Sequence, residues 1–201
     1  QSASFFSFEY DLESITACLE AVASCFEASK KYKVRVVLEK NGEFDITSAP
    51  LEATVRKLQK IKLSNKKTSK DDIHLRHKTT NRKIYTTEYE KYSERGFFDV
   101  IFENTDGEIT EGAITNIIIC KDGEYFTPPV SSGLLPGTYR DHLLNSSEMP
   151  LKEKVLRKED LLSADEIFLA NSVRKLVRVK LENLSSLLIF IYIILKMEHL
   201  S

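Results

Sequence analysis

The sequence predicts an α+β protein in two parts. A small helix-on-sheet domain occupies residues 1–72, a larger barrel-like β domain with helices occupies 73–180, and an apolar tail covers 181–201. Three observations carry this reading. In the first third, an apolar stripe at three- and four-residue steps leads straight into an alternating hairpin pattern. From Gly96 onward, short apolar runs alternate with glycine-bearing turns, the pattern of a curled meander. Within that meander, Ile114-Thr115-Asn116-Ile117-Ile118-Ile119-Cys120 is apolar enough to be a buried strand.

Taken in order, Leu12, Ile15, Leu19, Val22 and Phe26 predict an amphipathic helix over Asp11 to Lys31 with its stripe against a sheet. Val34, Val36 and Leu38 alternate with charged residues, Asn41-Gly42 is a strong two-residue turn, and Phe44 and Ile46 alternate beyond it, so a β-hairpin follows. Leu58, Ile61 and Leu63 suggest a third strand, and the lysine-rich stretch Ser64 to Asp72 reads as a linker. Thr79 to Arg95 reads as a helix, with Ile84, Tyr85, Tyr89 and Tyr92 at helical intervals and Gly96 as its stop. Strands are expected over Phe97 to Glu103, Ile114 to Cys120 and Glu124 to Thr127, with a short helix over Thr138 to Asn145. Weaker signals place strands at Lys154 to Leu156 and Glu166 to Ala170.

Composition bounds the function. A net charge of −1 over 201 residues, with basic and acidic side chains interleaved, disfavours nucleic acid and anionic membranes as partners. Three cysteines without metal-ligand spacing point to a reducing compartment, and Cys18 and Cys25, seven apart, suit core packing. The run Leu187 to Leu195 is about half the ~20 residues that a membrane-spanning helix needs, which favours a buried element or partner contact over a span. The chain opens at Gln1 inside what already reads as folded sequence, Phe5-Phe6-Ser7-Phe8, so it is expected to be a piece of a longer protein.

Four places carry candidate chemistry. Glu111 lies between Thr110 and Gly112 at the mouth of the apolar strand, where a carboxylate is costly unless a cation or donor meets it; a surface Glu-Gly turn is the alternative. Gly137 followed by Thr138 and Tyr139 places a glycine before a first helical turn, an arrangement that suits phosphate, or else an ordinary Pro-Gly loop. Ala170-Asn171-Ser172-Val173-Arg174 presents small polar groups at a strand end, able to complete a phosphate cup, with Arg174 able to take a carboxylate; a plain strand-to-loop transition reads equally well. Lys78 sits at the hinge between the two parts with Arg76, His77 and Arg82 nearby, cations that would oppose its protonation, although a basic run is also what a solvated face looks like.

Several stretches together resemble one family. They are Leu75-Arg76-His77-Lys78-Thr79-Thr80-Asn81-Arg82, Gly107 to Gly112 with Thr115-Asn116-Ile117, Tyr125-Phe126-Thr127-Pro128-Pro129, Ser132 to Arg140 and Phe168 to Arg174. In this order and spacing they resemble the fold-type IV pyridoxal-phosphate enzymes, built like the D-amino-acid aminotransferases, over about Ser4 to Val177. Within that group the wording Leu134-Leu135-Pro136-Gly137 and Asn171-Ser172-Val173-Arg174 is most similar to the aminodeoxychorismate lyases fused behind the synthase component of para-aminobenzoate formation.

The resemblance implies pyridoxal 5′-phosphate as cofactor, with Lys78 as the lysine that binds it covalently and shuttles a proton. It implies Glu111 against the pyridine nitrogen, with Asn116 beside it in the cofactor site. Gly137, Thr138 and Tyr139 would lie on one side of the phosphate, Asn171 and Ser172 on the other, and Arg174 would meet a substrate carboxylate. It further implies a small-molecule substrate, a cytoplasmic homodimer and an upstream synthase domain. It also implies an N-terminal stretch before Gln1 that carries a phosphate-binding arginine. A branched-chain or D-amino-acid aminotransferase of the same fold and an inert fragment stand as the other readings.

Overall fold

The computed structural model describes residues 2–51, 58–147 and 149–182. The chain divides into two compact units, Gln1–Arg56 and Lys57–Ser201.

The first unit holds a four-residue helical turn α1 (Ser2–Phe5), helix α2 (Leu12–Ser24) and the antiparallel strands β1 (Tyr32–Leu38) and β2 (Phe44–Pro50). Asp11 caps α2, its Oδ1 accepting from Glu13 N at 3.0 Å and Ser14 N at 3.4 Å. The hairpin turns where Asn41-Gly42 predicts, with Gly42 at φ 88° and Glu39 N donating to Glu43 O at 2.7 Å. The helix is shorter than its stripe suggested and buries no residue, because two strands offer little apolar face to cover it. Phe26, expected on the stripe, lies beyond the helix end and stacks on Tyr32 at 4.0 Å. Cys18 and Cys25 are exposed rather than packed in a core.

The second unit is built on one sheet. It contains β3 (Gln59–Thr68), helix α3 (Lys83–Ser93), β4 (Asp99–Asn104), β5 (Ile109–Gly112), β6 (Asn116–Lys121), β7 (Glu124–Thr127), helix α4 (Thr138–Asn145), β8 (Leu151–Glu153), helix α5 (Lys158–Leu162), β9 (Glu166–Asn171) and β10 (Lys175–Leu181). The strand order is β5-β4-β3-β10-β9-β6-β7-β8, and a further β5–β6 pairing closes the first six into a ring, the barrel-like sheet expected.

Two faces of this sheet are apolar, and the strands alternate between them. Ile101, Ile117, Ile119, Leu169 and Val179 point into one cluster. Val100 and Phe102 point the other way, under Tyr85 and Tyr92 of α3, while Ile118 and Ala170 meet Leu143 of α4. A strand covered on both sides needs apolar residues at every position, which is why Ile117-Ile118-Ile119 is uninterrupted.

Several sequence expectations shift. The third strand belongs to the large sheet, parallel to β4 through Ile61↔Asp99 and to β10 through Leu181↔Ile61, so the units divide at Arg56/Lys57 and not near Asp72. It runs through the supposed linker to Thr68 because its polar side chains find partners. Ser64 Oγ donates to Glu88 at 2.9 Å and Thr68 Oγ1 to Glu103 O at 3.4 Å. Helix α3 starts at Lys83, since Thr79, Thr80 and Asn81 are weak helix formers. The strand expected at Lys154 to Leu156 lies earlier, at Leu151–Glu153, and Leu156 is a core residue whose carbonyl accepts from Ile109 N at 2.7 Å. Both α5 and β10 were missed. The apolar tail falls outside the described residues beyond Glu182. Among those described, no helix is long and apolar enough to cross a membrane.

Candidate cofactor site

The site is assembled around the connection between β5 and β6. Asp99, buried at the start of β4, accepts from Ala113 N at 3.0 Å, Ile114 N at 3.3 Å and Thr115 Oγ1 at 2.6 Å. These bonds bend the chain so that Glu111 and Asn116 stand opposite each other across the ladder. Gly112 is required there, since a Cβ would overlap both Asp99 Oδ2 and Thr115 Oγ1.

Glu111 is buried and does have partners. Arg82 Nη2 donates to its Oε1 at 3.0 Å, with the two side chains 10% and 3% exposed, and Leu135 N donates to Oε2 at 3.3 Å. Leu135 then accepts from Asn116 Nδ2 at 2.9 Å, so one residue of the β7–α4 loop ties the facing pair together. That loop is anchored in turn. Asn104 Nδ2 donates to Ser132 O at 3.0 Å, and Gly133 turns at φ 88° where a Cβ would come within 2.6 Å of Lys70 Cα.

The loop delivers the start of α4. At Gly137 a Cβ would overlap Asn116 Oδ1, so only glycine allows the helix to approach this closely. The Thr138 and Ser172 hydroxyls meet at 2.6 Å. Asn171 Oδ1 accepts from Val173 N at 3.1 Å and Arg174 N at 2.8 Å, and its Nδ2 donates to Ile114 O at 3.3 Å. Glu111, Asn116, Gly137, Thr138, Asn171 and Ser172 are therefore joined by direct contacts and short steps along the backbone. The Tyr139 ring lies 4.8 Å from Lys175 Nζ, and the Arg174 guanidinium sits 5.8 Å from the Phe98 ring, at the rim. Lys78 is exposed in the irregular segment that leads to α3, four residues before Arg82.

Arg82, Leu135 and Asp99 were missed as parts of the site. Arg82 was read as a neighbour acting on Lys78, whereas it holds Glu111. Asp99 carried the same signal that singled out Glu111, an acid bordering an apolar strand, in Phe97-Phe98-Asp99-Val100-Ile101-Phe102.

Burial dominates the electrostatics. It pushes the Glu111 carboxyl up to about 7 against the lowering effect of Arg82, and pushes Asp99 up to about 6 against its four hydrogen bonds. Both values lie above those of the unfolded chain, so between about pH 4 and about pH 7 the folded state holds protons that the unfolded state releases. The stability contributed is full at the acid end and is lost as pH rises. The thermal midpoint of the ligand-free protein is expected to fall between about pH 5 and about pH 7.5, by the equivalent of a few kcal/mol. A midpoint that climbs over this interval would mean that neither carboxyl is raised.

A family model described as amino-transferase class IV matches residues 1–181. A protein of Schizosaccharomyces pombe provisionally named aminodeoxychorismate lyase is 30% identical over 153 residues, covering 73% of this chain and 65% of its own length. The branched-chain-amino-acid aminotransferase of Escherichia coli is 35% identical over 88 residues, covering 42% of this chain and 28% of that enzyme. This chain thus spans less than two thirds of either relative. A crystal structure from Mesorhizobium loti, provisionally named an amino-acid aminotransferase, superposes with a TM-score of 0.82 at 32% identity over 90% of this chain and 86% of that one.

Proposed function

The chain belongs to the amino-transferase class IV family, and from that premise we propose that it acts as a lyase converting 4-amino-4-deoxychorismate to para-aminobenzoate and pyruvate in folate biosynthesis. Pyridoxal 5′-phosphate is the cofactor of this family. The residues at the site fit that group. A buried carboxylate stands at one end, a glycine-gated helix start with two hydroxyls stands at the other, and Asn116 contacts the loop between them. One buried donor near Glu111, Arg82 Nη1, has no hydrogen-bond partner among the described residues.

Bound here, the cofactor supplies an electron sink in its protonated pyridine ring. Glu111 would keep that charge by pairing with the ring nitrogen. The backbone donors of Thr138 and Tyr139 would hold the phosphate from the helix side, with Ser172 and Asn171 opposite. The Lys78 amine would hold the cofactor covalently and, when free, would take the proton from the substrate ring carbon. The bond between the substrate's ring carbon and the enolpyruvyl oxygen breaks with loss of that ring proton, the enolpyruvate released takes up a proton to become pyruvate, and aromatisation of the ring drives the step without any amino acceptor. Arg174 receives a substrate carboxylate.

The single observation that favours the lyase is the extent of the S. pombe match, 73% of the chain against 42% for the E. coli aminotransferase. The M. loti structure favours the second reading, an aminotransferase. Supplying the intact protein with pyridoxal phosphate and aminodeoxychorismate, and no 2-oxo acid, separates the two. Stoichiometric and continuing pyruvate release is expected. Turnover that starts only when an amino acid and a 2-oxo acid are both added would replace the lyase with the aminotransferase.

A further inference from the structure

A buried cation in the second unit has no part in the roles above. Arg140, the third residue of α4, is 3% exposed, yet it stands in the first helical turn, where the aligned peptide dipoles already make the surroundings positive. A guanidinium there is disfavoured twice, by lost hydration and by that field. Its contacts show what offsets the cost. Nη2 donates to Pro128 O at 2.7 Å and to Glu153 Oε1, so one nitrogen holds the residue that follows β7 and the last residue of β8. Those strands are paired at the rung Thr127↔Glu153, and β7 is bonded in turn to β6, the strand that opens with Asn116. Three residues before Arg140, Gly137 lies against Asn116 Oδ1 at a separation that only glycine permits. The first turn of α4 is therefore fixed at both ends to one continuous piece of sheet. Between these anchors lie the backbone N–H groups of Thr138 and Tyr139, and Gly137 offers no side chain to cap them.

We propose that Arg140 is a positioning residue for the cofactor phosphate: by clamping α4 to the ends of β7 and β8 it aims the Thr138 and Tyr139 N–H groups at the phosphate oxygens. This deepens the functional reading and rests on it. With Gly137 as its only anchor the helix could pivot about that residue, and a second anchor one turn further on removes the pivot. Backbone donors hold an anion only where they converge on it at hydrogen-bond distance, and a swing of about 1 Å takes them out of reach. The half-exposed Glu153 balances the guanidinium charge, so the clamp acts by geometry and not by adding a cation to the site. Lysine is a poor substitute, because a rotatable ammonium on a flexible stem gives up the planar head held between two acceptors.

Two probes on the intact protein separate this role from general support of the fold. Pyridoxal 5′-phosphate carries the phosphate, and pyridoxal carries the same ring and aldehyde without it. Dissociation constants for both are measured by equilibrium dialysis for wild type, Arg140→Met and Arg140→Lys, and the phosphorus NMR signal of the bound cofactor is recorded. Arg140→Met is expected to weaken pyridoxal phosphate by about ten- to a hundredfold, to leave pyridoxal within about twofold of wild type, and to move the phosphorus signal. Arg140→Lys keeps the charge and is expected to remain about tenfold weaker than wild type for the phosphate form alone. Equal losses for both probes would reduce Arg140 to a support of the fold, and full recovery by lysine would show that charge alone acts; either result overturns the proposal, as does an Arg140→Met that binds both probes like wild type. If wild type itself binds no pyridoxal phosphate, the functional reading falls and takes this inference with it. Thermal midpoints identify an Arg140→Met lost to misfolding, in which case the ratio of the two affinities in Arg140→Lys decides.

Discussion

Lys78→Ala is expected to abolish turnover and to remove the covalent attachment of the cofactor. The proton-transfer role alone accounts for about 10²- to 10⁴-fold in rate, and loss of the attachment adds to it. Position along the chain favours this lysine. Leu75, three residues earlier, is buried in the cluster under α3, and Arg82, four residues later, is fixed to Glu111. Four residues span at most about 14 Å, so the Lys78 backbone is tethered within one side-chain length or two of the buried acid. Borohydride reduction of the loaded protein followed by peptide mapping checks the assignment. A label on Lys70 or Lys175, or full activity in Lys78→Ala, would remove Lys78 from the mechanism.

Much of the larger unit was legible because its signals are local. The turns at Asn104 to Gly107 and at Lys121 to Gly123 join strands as their glycines require, with Gly107 at φ 77° and Gly123 at φ 79°. The Gly137–Thr138 helix start was legible for the same reason. The third strand was not, because its second half, Ser64 to Thr68, is polar, and only the hydroxyl partners supplied by α3 and β4 make it a strand. Likewise β10 begins directly after Arg174 on Lys175, which lies in the left-handed region at φ 58°, a turn that composition does not announce.

At the site, the cost of burying an acid indicated that Glu111 needs a partner, but not which one. The sequence distance between Arg82 and Glu111 carries no information about a 3.0 Å contact. The position of Leu135 between Glu111 and Asn116 depends on how Asn104 and Gly133 fix the loop, a long-range arrangement with no short motif.

Asp99→Ala is expected to be the most damaging change that touches no proposed ligand contact. The buried carboxylate accepts from Ala113 N, Ile114 N and Thr115 Oγ1, and alanine leaves these donors unmet. Each unsatisfied buried donor costs about 1–3 kcal/mol, so a loss on the order of 3 kcal/mol or more is expected even after relaxation. The functional loss should exceed the stability loss. The Gly112–Thr115 bend sets Glu111 against Asn116, and a slip of one residue in this ladder would turn both side chains to the opposite face. Asp99→Asn keeps the volume but faces donors with a donor of its own, and should fall between wild type and alanine. Because the folded-state pKa of Asp99 is raised to about 6, the wild type loses its advantage as that group ionises. The stability gap to the alanine variant is therefore expected to narrow between about pH 4 and about pH 7. Denaturant midpoints across that range, with pyridoxal phosphate affinity measured where each variant is still folded, provide the check. An alanine variant with wild-type midpoint and wild-type affinity would show that the bend holds without Asp99, and that β5 and β6 position the acid unaided.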